Sequence, residues 1–159
     1  MSILRSSKKD EVIELKTLPQ SSVGAPLPRL VATEHCLWLL YHLEEIEEKP
    51  YSTAIVTFQN CLNHKFGFPN DEVLHGHPLY KKGLRPYAAF EINNSSWRRS
   101  IIEMNTVHPR HSSALFDEYK HYTFSFHDSV FECLAEGFTI EIANISLNEA
   151  LLQVVKDKF

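Results

Sequence analysis

Three short runs of alternating apolar and polar residues in the last third of the chain constrain the fold more than any other feature. The runs are His121 to Phe126, Val130 to Ala135 and Phe138 to Ala143. Asp128-Ser129 and Glu136-Gly137 separate them, and short turns between alternating runs are typical of β-hairpins. The sequence therefore predicts an antiparallel meander of three strands.

The length of each turn fixes which residues of the meander face each other. With a two-residue turn at both corners, every cross-strand pair falls on a single apolar face, so the register agrees with the hydrophobic pattern. The predicted pairs are Phe126 with Phe131, Phe124 with Cys133, Tyr122 with Ala135, Cys133 with Ile140, and Phe131 with Ile142.

Two amphipathic helices are expected beside these strands. Ser146-Leu-Asn-Glu149 has the spacing of a capping box, and the apolar residues after it recur at helical intervals. The other helix is expected to begin after Asn94 or Ser95, either of which can cap it, and to end before Pro109.

Three earlier segments have strand character. Residues 51–60 are rich in β-branched side chains, and residues 87–92 alternate. Residues 36–43 are apolar on both alternations, which favours a strand covered on both faces, although a helix continuing into the acidic residues 44–49 is the alternative. These elements predict an α+β fold: one antiparallel β-sheet, made of the C-terminal meander and the earlier strands. Helices, including the C-terminal amphipathic helix, are expected to cover one face of it.

The chain of 159 residues has the length of one domain. Residues 1–29 contain Pro19, Pro26 and Pro28, which interrupt regular structure, so we expect a mobile N-terminal arm with at most one edge strand. From Leu30 onward there is neither a break in composition nor an internal repeat. Residues 30–159 are therefore predicted to form a single globular domain.

Charge and cysteine content argue against several classes of function. Sixteen Lys and Arg residues against 20 Asp and Glu residues give a net charge of −4, without the basic stripe that nucleic-acid binding requires. We expect no membrane association, because no apolar run reaches the length of a signal-peptide core or a membrane span. Three widely spaced cysteines indicate free thiols and a cytoplasmic protein. A nucleotide cofactor is not expected, because there is no glycine-rich phosphate loop.

Residues 63–85 contain glycine or proline at five positions and predict a long irregular loop. Such loops inside small domains usually carry function. Tyr80, Arg85, Tyr87 and Glu91 lie in or beside this loop and are candidates to line a polar pocket for a small ligand or a peptide. Solvent-facing aromatic side chains without a function are the alternative.

The predicted register also places a set of side chains on a polar face of the meander. Glu132 lies across from Glu141 there, and two like charges are unfavourable unless a cation or a shared proton relieves them. With His127 and the candidate ligand-binding Ser125 beside them, these carboxylates are candidates for an acid–base pair or a divalent-ion site. A solvated face on which both carboxylates reach into water is the alternative. The same face also carries His121, Thr123 and Thr139.

Two pairs of histidines are candidate metal ligands. His75-Gly-His77 points both imidazoles the same way on an extended segment, which suits a divalent transition metal. His108-Pro-Arg-His111 offers further ligands, although Pro109 disfavours the helical turn that this spacing needs. Loop histidines that bond to backbone carbonyls are the alternative.

These features support functions of different classes. The first is a non-catalytic cytoplasmic binding domain whose partner, a small molecule or a protein, contacts residues 63–85 and the polar sheet face. The second is a small metal-dependent hydrolytic enzyme that uses the loop histidines with Glu132 or Glu141 as a base. A structural subunit that docks through the N-terminal arm is the third.

Overall fold

The computed structural model describes residues 8–44 and 52–159, most of which lie in antiparallel strands or their connections. Short stretches of 3-10 helix occupy Asp71–Gly76, Tyr80–Lys82, Asn105–Val107 and Ser113–Phe116. The strands are β1 (Glu11–Glu14), β2 (Arg29–Ala32), β3 (Leu37–His42), β4 (Ser52–Gln59), β5 (Asn63–Gly67), β6 (Ala89–Asn93), β7 (Lys120–Ser125), β8 (Val130–Ala135) and β9 (Gly137–Asn144). The α-helices are α1 (Ser96–Met104) and α2 (Leu147–Lys158).

Among the described residues the strands form two sheets. One has five strands in the order β1-β6-β7-β8-β5, and the other has four in the order β2-β3-β4-β9. Their inner faces pack together, since one cluster of buried apolar side chains draws residues from both sheets. Helix α2 covers the outer face of the four-stranded sheet, and residues 71–84 cover the outer face of the five-stranded sheet. The architecture is a β-sandwich with an added layer on each side.

Aromatic side chains fill the space between the two sheets. Phe58 of β4 is 1 % exposed, and its ring lies 5.4–6.0 Å from the ring centroids of four neighbours. Such large flat side chains bridge the ~10 Å between packed sheets. The four neighbours are Tyr122, Phe124, Phe131 and Phe138.

The predicted single sheet of an α+β fold is wrong. Strand β9 does not return beside β8 but crosses to the other sheet and pairs with β4, with Gly137 opposite Gln59. Glu136 lies at the crossing, where its backbone N–H donates to the Gln59 carbonyl. Alternation predicts a strand but does not specify its neighbour, because Phe138 and Ile140 reach the same core from either sheet.

The hairpin of β7 and β8 is confirmed, but its register differs from the prediction by two residues. Phe124, not Phe126, faces Phe131. The turn consists of His127-Asp128 instead of Asp128-Ser129, because the Phe126 N–H donates to the Ser129 carbonyl. A shift of two residues keeps every side chain on its predicted face, because side chains alternate with a period of two.

The strand interpretation of residues 36–43 is confirmed, since Leu37–His42 form β3. Leu39 lies in the core between the sheets, whereas Trp38 and Leu40 lie under α2. The other two predicted strands are β4 and β6. Residues 45–49 of the predicted acidic connection lie outside the described residues.

Both predicted helices are present with predicted caps. Ser95 caps α1 by accepting a hydrogen bond from the Arg98 N–H, and Ser146 caps α2 by accepting one from the Glu149 N–H. The core-facing side of α2 packs on β3 and β4. No helix in the described part of the chain is long and apolar enough to cross a bilayer.

The N-terminal segment contributes an edge strand, as the sequence allows. Strand β1 pairs with β6. Just before it, the Asp10 carboxylate accepts hydrogen bonds from the backbone N–H and the hydroxyl of Ser96. The segment therefore reaches the start of α1. Residues 1–7 of the predicted arm lie outside the described residues.

Residues 63–85 are not irregular throughout, because they begin with β5 at the edge of the five-stranded sheet. The rest of the segment covers the outer face of that sheet, where Leu74, Leu79 and Leu84 pack against Phe90 and Ile92. This loop therefore buries the polar sheet face with which it was expected to bind a partner.

We expect Phe58→Ala to lower the free energy of unfolding by about 3–5 kcal/mol, because it leaves a cavity among four rings. Phe66→Ala is the matched control, since Phe66 is 43 % exposed on the edge strand β5. This variant is expected to lose about 1 kcal/mol of unfolding free energy. Urea denaturation measures both values. Equal losses in the two variants would show that Phe58 is not central to the core.

Candidate functional site

The polar face of β7 and β8 is buried, so the alternative of a solvated face is wrong. Thr123 is 0 % exposed, His121 4 % and Glu132 7 %. The covering segment of residues 71–84 and the first turn of α1 lie over them. A carboxylate in such a place requires hydrogen-bond donors for its oxygens.

Glu132 accepts hydrogen bonds on both carboxylate oxygens. Its Oε1 lies 2.9 Å from Nε2 of His121, and its Oε2 lies 3.4 Å from Nε2 of His77. The Thr123 hydroxyl lies 3.5 Å from Oε1. Burial opposes ionisation of the Glu132 carboxyl, but the two imidazoles outweigh it and hold its pKa well below its ordinary value. We name Glu132, His77, His121, Thr123 and Ser95 the Glu132 cluster.

The remaining hydrogen bonds of the cluster assign the proton on the His77 ring and connect His121 to Ser95. The Leu79 N–H donates to Nδ1 of His77 over 3.1 Å, so the proton of this ring is on Nε2, which donates to Glu132. On His121, Nε2 lies 2.9 Å from the Glu132 carboxylate and Nδ1 lies 2.7 Å from the Ser95 hydroxyl oxygen. Ser95, His121 and Glu132 thus form one continuous hydrogen-bonded chain.

Trp97 shields this chain from solvent. Its ring meets the His121 ring edge to face at 5.1 Å, and the Lys65 ammonium lies 4.0 Å from the centroid of the same indole. Lys65 also faces Glu132 across the β5–β8 pair. The exclusion of water strengthens each electrostatic interaction within the cluster.

Glu141, the predicted partner of Glu132, lies in the other sheet. It is exposed on β9 and faces Ile55 of β4. The predicted pair of carboxylates is therefore not formed, because β9 does not take the place in the meander that the pairing required.

His127 bonds to a different carboxylate, that of Asp71 at the start of the covering segment. Nδ1 of His127 lies 2.8 Å from Oδ2 of Asp71, which also accepts a hydrogen bond from the Tyr87 hydroxyl. The Asp71 hydrogen bond raises the pKa of His127, and the bonds from Tyr87 and then His127 lower the pKa of Asp71. His127 is the open member of this group, with 41 % of its side chain exposed.

The other predicted metal ligands have separate surroundings. The His75 ring lies edge-on to Tyr80, with 6.4 Å between centroids. Nδ1 of His108 accepts from the Arg110 N–H, and Nδ1 of His111 lies 2.9 Å from the Asn105 side-chain nitrogen. Across residues 8–44 and 52–159, no group of three or more His, Cys, Asp or Glu side chains is arranged to hold a metal ion.

The predicted ligand-binding residues divide between several places. The Arg85 guanidinium lies 5.2 Å from the Tyr80 ring centroid, and Glu91 pairs with Lys120 at 3.9 Å. The Ser125 hydroxyl donates to the Arg85 backbone carbonyl, so it holds the chain before β6 in place.

Tyr87 and Ser125 do share one feature, a cleft of about 260 Å³ at the open end between the sheets. Residues 14–21 of the N-terminal segment form its outer wall. The Ser21 hydroxyl is buried there and has no hydrogen-bond partner within the described part of the chain. The inner wall is aromatic and includes Tyr41, Phe124 and Phe126.

Sequence reasoning missed Ser95 and His121 as functional candidates. Ser95 was expected only to cap a helix, and His121 only to occupy the polar face. Their contact joins residues 26 positions apart, so it depends on β6 lying beside β7. Ser21 gave no signal at all, because a serine between prolines is an ordinary loop residue.

Comparison with known proteins finds no family model, no curated protein and no solved structure that matches this chain.

We expect Glu132→Gln to lower the free energy of unfolding by about 3–5 kcal/mol at about pH 7, because the amide nitrogen that replaces one carboxylate oxygen cannot accept from the imidazole N–H facing it. The depressed pKa of Glu132 gives a stabilisation that is present above the ordinary pKa of 4.5 and is lost as the pH falls. The difference in the free energy of unfolding between the parent and Glu132→Gln should therefore be about 1 kcal/mol smaller at about pH 3.5 than at about pH 7.

Urea denaturation at both pH values measures this difference. Glu141→Gln is the matched control, since Glu141 is exposed in the other sheet and should change little at either pH. A Glu132→Gln protein as stable as the parent at neutral pH, or a loss that does not depend on pH, would contradict the ionised carboxylate.

We expect Asp71→Asn to return the pKa of His127 toward its ordinary value of 6.5, because the Asp71 hydrogen bond is the largest cause of its elevation. A raised pKa stabilises the fold below that ordinary value, and the effect disappears as the pH rises through the folded-state pKa. Titration of the histidine ring protons by NMR measures the shift. Glu72→Gln should move the pKa of His127 much less, because Glu72 acts on His127 only through its charge and makes the smallest contribution to the raised pKa.

Proposed function

We propose that this protein is a binding domain for a small molecule and that the cleft between the sheets is its site. The observation that carries the proposal is the Ser21 hydroxyl, which is buried in an aromatic-lined cleft without a partner among the described residues. Unpartnered buried polar atoms are rare and destabilising. A ligand that supplies the missing hydrogen bond would compensate for this cost.

The walls of the cleft indicate the chemistry of the ligand. The rings of Tyr41, Tyr87 and Phe126 offer flat apolar surfaces, which suit a planar aromatic group. Its volume of about 260 Å³ is below the range of drug-sized sites and suits one ring or two fused rings rather than a protein segment. Glu14 and Lys16 both lie at the wall, so their opposite charges favour a ligand without net charge.

Tyr87 is held in the wall by a strained backbone. Its φ of 60° is in the left-handed region, which costs a residue with a Cβ about 1–2 kcal/mol. The hydrogen bond from its hydroxyl to Asp71 fixes this conformation. Backbone strain of this kind is typical of ligand-binding positions, because it keeps a side chain where function requires it.

As part of the same proposal we assign the protein to the cytoplasm. Cys61 and Cys133 are free and buried, and their thiols lie within hydrogen-bonding contact of each other. An odd number of widely spaced cysteines, without a Cys-x-x-Cys pair, is typical of free thiols in a reducing compartment.

The probes for this site are indole and phenol, which offer one or two rings with a single hydrogen-bonding group. We expect both to bind at about millimolar concentration, as fragments of this size do. Gln20→Trp should abolish binding, because Gln20 is exposed at the wall of the cleft and a bulky ring there would fill it. Gln153→Trp on the exposed side of α2 is the matched control and should leave binding unchanged.

Ser21→Ala separates binding from stability. It should weaken indole binding and at the same time raise the free energy of unfolding by about 1 kcal/mol, because a methyl group has no missing partner. Saturation-transfer NMR and urea denaturation measure the two effects. Absence of binding by both probes, or binding that survives Gln20→Trp, would refute the assignment of the cleft.

A further inference from the structure

We propose that Ser95 is the nucleophile of a second site, which hydrolyses esters that carry an anionic group. This site is distinct from the cleft between the sheets. The inference rests on the hydrogen-bonded chain of Ser95, His121 and Glu132 and on the cavity beside it.

The backbone turns sharply just before Ser95. Strand β6 ends at Asn93, Asn94 adopts a left-handed φ of 54°, and α1 begins at Ser96. Ser95 therefore lies between the end of a strand and the first turn of a helix. Its oxygen accepts the capping hydrogen bond from the Arg98 N–H and therefore lies at the positive end of the helix dipole.

The surroundings of Ser95 supply both a base and a group that orients the base. Nδ1 of His121 lies 2.7 Å from the serine oxygen, and Nε2 of the same ring lies 2.9 Å from the Glu132 carboxylate. In the neutral imidazole the proton on Nε2 bonds to Glu132, which leaves the lone pair of Nδ1 to act as the base. Glu132 is ionised and stabilises the imidazolium that forms when Nδ1 takes a proton. Nucleophile, base and orienting carboxylate are the three parts that activate a serine hydroxyl.

A cavity of about 260 Å³ adjoins the nucleophile and indicates the substrate. Its lining is cationic, so it attracts an anionic group and stabilises the oxyanion of an acyl-transfer intermediate. The Arg98 guanidinium donates to the Phe116 carbonyl and lies 3.9 Å from Asp117, whereas its buried Nε has no hydrogen-bond partner among the described residues and is the N–H group left for an anion. Ser95 is 4 % exposed. The lining residues are Lys8, Asn94, Ser95, Arg98 and Arg99.

The reaction is a balanced hydrolysis in two steps. The Ser95 oxygen attacks the ester carbonyl while Nδ1 of His121 takes the hydroxyl proton. The tetrahedral intermediate then expels the alcohol, which receives that proton. Water attacks the resulting acyl-serine in the same way and releases the acid, so that one ester and one water give one acid and one alcohol.

The test uses 3-acetoxybenzoate and its neutral methyl ester as paired probes, with release of the phenol followed by absorbance. We expect the parent protein to hydrolyse the anionic probe faster than the neutral one. Ser95→Asn should lower the rate by about 100-fold or more. Asparagine keeps the helix cap but has no nucleophilic oxygen, so loss of the fold does not explain the effect. Circular dichroism confirms that the variant is folded.

Ser96→Ala is the matched control, because the Ser96 hydroxyl bonds to Asp10 rather than to a histidine. It should retain the activity. Arg99→Ala should reduce the rate on the anionic probe more strongly than the rate on the neutral probe, because only the anionic probe can form an ion pair with this side chain. Arg99 is exposed at the cavity, so the change is expected to act on substrate binding rather than on folding.

A fluorophosphonate probe adds a readout of the covalent step. Mass spectrometry of the tryptic peptide covering residues 83–98 should place the adduct on Ser95 rather than Ser96. An unlabelled Ser95 in the folded parent, an adduct elsewhere, or hydrolysis that survives Ser95→Asn would overturn the proposal. None of these outcomes depends on binding in the cleft.

Discussion

A carboxylate buried on the outer face of a β-sheet requires hydrogen-bond donors from the strands beside it and from the layer that packs over it. Glu132 is 7 % exposed, and an ionised group in such a place is several kcal/mol less stable than in water unless its oxygens are bonded. One bond comes from His77 of the covering segment and the other from His121 of the neighbouring strand. The carboxylate therefore fixes the position of the covering segment, and Ser95 ties α1 to it through His121.

The apolar core is arranged independently of this cluster, between the two sheets. Phe58 centres a layer of rings from β4, β7, β8 and β9 that holds the sheets together. Toward Tyr41 and Phe126 the layer is covered by residues 15–21 of the N-terminal segment, which follow β1 and belong to neither sheet. The cleft lies between this segment and the rings.

Asp71 joins the two regions. Its carboxylate bonds to His127 in the β7–β8 loop and to Tyr87 in the wall of the cleft, and its backbone N–H donates to the His127 carbonyl. Asp71 also begins the segment that carries His77 to Glu132. The same covering segment therefore contacts both regions. Its Asp71 holds Tyr87 in the wall of the cleft, and its His77 bonds to Glu132.

Local sequence patterns determined two kinds of feature, because alternation and helix capping depend only on near neighbours. They determined the strands β3, β4, β6, β7 and β8 and the caps of both helices. They also determined that His121, Thr123 and Glu132 share one face. Tertiary structure alone decided that β9 joins the other sheet, since Phe138 and Ile140 bury equally well in either. It also decided that the polar face is buried and that Ser95 meets His121. Those contacts join distant residues, and each becomes favourable only once the strands and the covering segment are already in place.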